Sequence, residues 1–157
     1  MTLLARLLYH LFAVITLVSV AVAAFSLSAF GQTVESGSMP MKLLLKTEGA
    51  TVAITLSDNP TARDLFDQLP LSLDLSDYAG TEKIATLPRK LTTREAPQGS
   101  DPEIGTLAYY APWGNLALFY NDFGYSRGLI TLGVVDADAV AKLARLPNGK
   151  VALERGE

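Results

Sequence analysis

Met41-Lys42-Leu43-Leu44-Leu45-Lys46-Thr47-Glu48-Gly49-Ala50-Thr51-Val52-Ala53-Ile54-Thr55-Leu56 is the stretch that decides the fold class. Two β-prone runs flank a Glu48-Gly49 turn, and Val52, Ile54 and Leu56 alternate onto one face of the second run. Alternation at period two around a glycine turn reads as a β-hairpin with one buried face. Asp58-Asn59-Pro60 then opens a helix. The asparagine oxygen can take a free N–H of the first turn, and proline loses nothing at the first helical position. Ala62, Leu65, Phe66 and Leu69 follow at helical spacing and Pro70 ends the stripe. Leu71, Leu73 and Leu75 alternate again; Asp77 to Gly80 reads as a turn and Glu82 to Leu87 as a shorter strand.

Further along, Pro97, Gly99, Pro102 and Gly105 interrupt regular structure, so Pro88 to Gly105 reads as a long surface loop. Loops of that length within a small domain are often functional. Thr106 to Tyr110 and Asn115 to Tyr120 read as strands around Ala111-Pro112-Trp113-Gly114. Asn121 to Gly124 turns, and Leu129 to Val135 is a strand. Asp136 is placed to cap a second helix with Val140, Leu143 and Ala144 facing inward, before Val151 to Glu154 closes the sheet. Many short strands with turns between them, plus two helices, predict a mainly β domain: a closed barrel of about eight strands capped by two helices.

Upstream of the hairpin the texture differs. Arg6 precedes an uncharged apolar run from Leu11 to about Phe30, with small residues at Ala21-Val22-Ala23, Ser26-Leu27-Ser28 and Ala29-Phe30-Gly31 that suit a signal peptidase. Charged start, apolar middle and small-residue exit describe a secretory signal. The run also approaches the ~20 residues that cross a bilayer, so an uncleaved anchor is the alternative. The organisation expected is therefore a signal or anchor over residues 1–31, a polar linker over 32–40, and one folded domain over 41–157. Its location would be periplasmic or secreted, or held at the inner membrane facing outward, with membrane contact only through an uncleaved leader.

Composition narrows the chemistry. Thirteen basic and 16 acidic residues give a net charge of −3, and loss of Arg6 with the leader makes it −4. That balance carries no footprint for nucleic acid. There is no cysteine, and the one histidine, His10, lies in the leader. A mature domain without either residue has no Ser-His-Asp or Cys-His machinery and no His or thiolate metal ligand, and no cofactor is implied. Asp77 with Glu82, and Asp101 with Glu103, fit no acid–base or calcium-loop pattern and read as turn or solvated carboxylates.

Several runs resemble one family. Asp58 to Asp64, Leu75 to Tyr78, Glu82 to Ile84, Leu87 to Arg89 and, above all, Ala108-Tyr109-Tyr110-Ala111-Pro112-Trp113-Gly114-Asn115-Leu116-Ala117 and Phe123-Gly124-Tyr125-Ser126-Arg127-Gly128-Leu129 are similar to the small bacterial cyclophilin-like domain family. The resemblance covers Met41 to about Val135. It implies an eight-stranded barrel with two helices, as in the cyclophilin-type peptidyl-prolyl isomerases, and no established reaction. In those isomerases an arginine supports the twisted proline amide from a Phe-His-Arg context. The nearest counterpart here, Arg89 in Leu87-Pro88-Arg89, lacks both flanking residues.

These segments supply the candidate binding residues Arg89, Tyr110, Trp113, Asn115, Phe119, Tyr125 and Arg127, expected to line one mouth of the barrel. Trp113 reads either as core or, with its amphipathic ring, as a wall for an apolar ligand. Tyr109 and Tyr110 point to opposite faces of their strand, so at most one belongs to any pocket. Arg127 reads as a ligand fork or as a salt bridge to Asp122 or Glu82. The function expected is a non-enzymatic binding module for a small molecule or peptide. The alternative is a peptidyl-prolyl cis-trans isomerase acting on exported proteins, using Arg89.

Overall fold

The computed structural model describes residues 40–156. The signal or anchor of 1–31 and the linker before Pro40 lie outside the described residues. The hairpin is present: β1 (Lys42–Lys46) pairs antiparallel with β2 (Thr51–Leu56), and the Thr47 amide donates to the Ala50 carbonyl at 2.8 Å across the turn. Helix α1 (Pro60–Gln68) starts as its sequence dictates. Asn59 Oδ1 accepts from the Ala62 amide at 2.8 Å, while Asn59 Nδ2 donates to the Thr131 carbonyl at 3.0 Å and ties the helix start to the barrel. Thr61, Ala62 and Leu65 are its buried face.

The strands that follow are β3 (Leu71–Tyr78), β4 (Glu82–Thr86), β5 (Gly99–Ser100), β6 (Thr106–Tyr110), β7 (Asn115–Phe119), β8 (Ser126–Arg127), β9 (Leu129–Val135) and β10 (Gly149–Arg155). Eight of them close an antiparallel barrel in the order β1-β10-β3-β4-β7-β6-β9-β2, with β2 beside β1. Leucines fill its interior: Leu43, Leu45, Leu73, Leu75, Leu107, Leu116, Leu118 and Leu153 enclose a void of about 10 Å³, the space of roughly one water. The lumen is a packed core, not a container.

Three local expectations are corrected. Strand β3 runs to Tyr78, so the turn expected over Asp77 to Gly80 is instead made by Ala79, Gly80 and Thr81, the first two at positive φ. The second helix is a 3-10 turn over Val140–Arg145 without a side-chain cap; Leu143 is buried but Ala144 is exposed. Asp136 supplies its carbonyl to the Ala139 amide (2.8 Å) instead of its carboxylate. Finally, the long loop contains β5, which pairs with β8 in a two-stranded ribbon. Its closeness has a cause in sequence: a Cβ on Gly99 would sit 2.3 Å from the Ser126 carbonyl oxygen.

What positions the site is an exception to a rule. Antiparallel strands usually bury one face and wet the other, yet every residue of β7 is buried, as are four of the five in β6. Leu107, Tyr109, Leu116 and Leu118 belong to the barrel core, while Ala108, Ala117, Phe119 and Leu129 form a second apolar cluster. By strand parity that cluster lies on the outer wall. Chain from Tyr120 to Gly128 passes over it, with Phe123 against Phe119 at 5.4 Å between ring centroids.

Candidate functional site

The outward rows of the sheet can be read from the register. Thr86, Asn115, Tyr110 and Leu129 form one row across β4-β7-β6-β9, and Tyr78, Glu82 and Phe119 form another across β3-β4-β7. Between them, opposed Ala108 and Ala117 keep the wall low because their side chains are single methyls. Trp113, in the β6–β7 turn, meets Tyr110 edge-on at 5.4 Å and Tyr78 edge-on at 5.8 Å. The result is a hollow of about 230 Å³ on the outer wall, lined by Tyr78, Glu82, Tyr110, Trp113, Asn115, Phe119, Phe123, Ser126 and Leu129.

Its polar groups are few and unequal. Asn115 is 4% exposed, and its Nδ2 donates to the Leu116 carbonyl at 3.0 Å, but its Oδ1 has no partner among the described residues. A buried acceptor left so costs about 1–3 kcal/mol. Glu82 is half-buried, and burial pushes its carboxyl above the usual carboxylate range. No ion pair to Glu82 forms among the described residues. Arginine and lysine are absent from the lining.

Four of the seven sequence-derived candidates therefore meet: Tyr110, Trp113, Asn115 and Phe119. Trp113 is 57% exposed, a rim residue and not a core one. Tyr109 points into the core, where its hydroxyl accepts from the Leu91 amide at 3.2 Å. Arg89 is elsewhere: it forks onto Asp64 of α1, with Nη2 to Oδ1 at 2.5 Å and Nη1 to Oδ2 at 3.4 Å. Burial pushes the Asp64 carboxyl up, but the bonds from Arg89 and the Thr92 amide outweigh it and hold the carboxyl below its usual range. Tyr125 is 64% exposed, with its hydroxyl near Gly99. Arg127 is exposed on β8 and forms no ion pair to Asp122 or Glu82. The expected barrel mouth is thus corrected to the barrel's outer wall.

Tyr78, Glu82, Phe123, Ser126 and Leu129 complete the lining and were not among the candidates. The signal for them was present: Thr106 to Tyr110 and Asn115 to Phe119 are apolar at nearly every position, which demands cover on both faces. Only the register across four strands then selects Glu82 and Tyr78.

A second polar cluster lies behind this wall. Lys83, 5% exposed, turns to the barrel interior and meets Asp77 Oδ1 at 3.1 Å. Tyr120 donates to the same oxygen at 2.5 Å, and its ring lies 5.7 Å from the Lys83 ammonium. The bond to Asp77 pushes the Tyr120 hydroxyl up to about 12, and the bonds from Tyr120 and Lys83 hold the Asp77 carboxyl below its usual range.

Against known proteins, the sequence profile described as the cyclophilin-like family matches residues 45–154. The chain belongs to the cyclophilin-like family. That span reaches past the Val135 limit of the resemblance and takes in β10. The solution structure of a hypothetical protein from Archaeoglobus fulgidus is similar to this cyclophilin-like chain, with a TM-score of 0.55 at 18% identity, over 74% of this chain and 95% of that one. At that identity the likeness concerns fold alone. No curated protein matches the cyclophilin-like chain. Neither its family nor its structural neighbour supplies a ligand for the hollow.

Proposed function

We propose that this cyclophilin-like domain is a non-enzymatic binding module, working outside the cytoplasm, that takes a small molecule or an extended peptide in the outer-wall hollow. The observation that carries this reading is an aromatic-lined hollow whose wall includes Asn115, the buried Oδ1 of which is orphaned. Buried acceptors in native proteins are almost always satisfied, so an exception needs an explanation. A ligand N–H or O–H is one. The volume, about 230 Å³, is below the 300–1,000 Å³ of drug-sized sites and suits a small metabolite or one peptide side chain. Placement outside the cytoplasm rests on the leader sequence, and sequencing the N-terminus of the purified protein tests it: a start between Ala24 and Gln32 supports release, a start at Met1 supports an anchor.

Thermal-shift titration against metabolite and peptide panels tests the binding itself. A ligand that raises the midpoint in the parent, but not in a folded Trp113→Ala variant, supports the reading. Panels that leave the midpoint flat at saturation count against it. Peptidyl-prolyl isomerisation has less support, because Arg89 lies outside the hollow, paired with Asp64, and no arginine lines the hollow. Acceleration of a proline-limited refolding reaction by the domain would revive that alternative.

A further inference from the structure

The chemistry of the hollow selects a class of ligand. Five aromatic residues line it, and aromatic faces attract cations within about 6 Å. Glu82 stands in the row with Tyr78 and Phe119, its direct neighbours on β3 and β7. Its carboxylate has lost part of its water without gaining a cation, which leaves it costly to keep charged until a positive group arrives. The nearby cations serve other places: Lys83 faces the barrel interior on Asp77, Arg127 is exposed on β8, and Lys90 passes beside Gly114 without lining the hollow. At the other end, the free group of Asn115 is again an acceptor. Acceptors at both ends and π faces between them match an elongated donor-rich cation and mismatch an anion.

We infer that the outer-wall hollow binds a protonated aliphatic amine, its ammonium at Glu82 among the aromatic rings and a second N–H donor at Asn115 Oδ1. The inference rests on the binding reading above and specifies its ligand class. Glu82 pairs with Phe119, four residues along β7 from Asn115, so the two ends stand about 13 Å apart at the backbone. A ligand that engages both ends is therefore elongated, with a donor toward each. A lysine side chain together with its own backbone N–H, or a free diamine, carries an ammonium and a second donor in that form. Both sources share one chemistry.

The single tryptophan of the chain, Trp113, is at the rim and reports occupancy by its emission. The full chain is titrated with cadaverine, with Nα-acetyl-lysine methylamide, and with their neutral counterparts pentanediol and Nα-acetyl-norleucine methylamide. The expected result is saturable binding of at least one cation, at least tenfold tighter than its neutral counterpart, with the preference reduced at least fivefold in Glu82→Gln. Preference for cadaverine assigns a free amine, and preference for the lysine derivative assigns a polypeptide side chain. Because Glu82→Gln keeps size and shape, its unfolding midpoint verifies that any loss is not misfolding; Glu82→Asp, which keeps the charge, should retain a preference for cations. Equal binding of charged and neutral probes, or an unchanged preference in Glu82→Gln, overturns the cation inference and leaves the binding module standing. If no amine binds while a neutral panel ligand does, the inference also falls alone. Silence of Trp113 to every amine, neutral probe and panel ligand overturns both.

Discussion

Asn115 is the residue at which stability and function part. Its orphaned Oδ1 costs about 1–3 kcal/mol, whereas its Nδ2 bond to Leu116 returns about 1 kcal/mol. Asn115→Leu, which removes both, is expected to keep or raise the unfolding midpoint while weakening ligand response, as functional groups held at a cost to the fold commonly do. Calorimetry beside Trp113 fluorescence checks both halves. Tyr120 makes a second prediction, in pH. Its hydroxyl is pushed up from an ordinary value near 10 to about 12 by Asp77, so the folded state holds that proton more tightly than the unfolded chain does. The resulting stability is complete below about pH 10 and disappears as pH rises toward 12. Asp77 works in the opposite sense: its lowered carboxyl contributes above the usual carboxylate range and loses that contribution as pH falls through the folded value. Tyr120→Phe should remove the alkaline loss of midpoint attributable to this bond, which a pH series of thermal melts of both proteins measures.

At the scale of elements, close approaches keep the outer wall covered. Gly128 sits at φ +83°, and a Cβ there would lie 2.9 Å from Pro112 Cδ, so the β8–β9 corner presses on the β6–β7 turn beside Trp113. Gly128→Ala should cost about 1–3 kcal/mol and disturb the hollow, with chemical denaturation giving the first figure and tryptophan emission the second. The same elements show what sequence could convey. The hairpin, α1 with its Asn59 cap and the alternation of Leu71 to Leu75 were legible because their signals are local: a turn, a capping side chain, a period. The second helix, after Asp136, was legible only as helical, because apolar spacing over six residues does not separate an α-helix from a 3-10 turn. Tyr110, Trp113, Asn115 and Phe119 were recoverable from one contiguous segment. Glu82 and Tyr78 were not, because they join that segment only through pairing of β3, β4 and β7, a register fixed by distant parts of the chain.

The whole molecule separates a filled lumen from a working outer wall. Leu132, fully buried in the core, is held by the first; truncation to alanine should cost about 2–5 kcal/mol and lower the midpoint without a specific effect on the hollow. Trp113, over half exposed, belongs to the second; Trp113→Ala should cost about 1 kcal/mol or less yet remove the rim. Parallel denaturation curves for the two variants test whether the barrel and the hollow are independent in this sense. Closure of the eight-stranded ring has a further effect on a chain read as exported. A ring has no terminal strand, so no unpaired ladder of amides remains for a neighbouring copy to extend. Among the described residues, the only strand ends outside it belong to the two-residue β5–β8 ribbon, too short to template a growing sheet. Once folded, such a barrel withholds the template on which fibres grow.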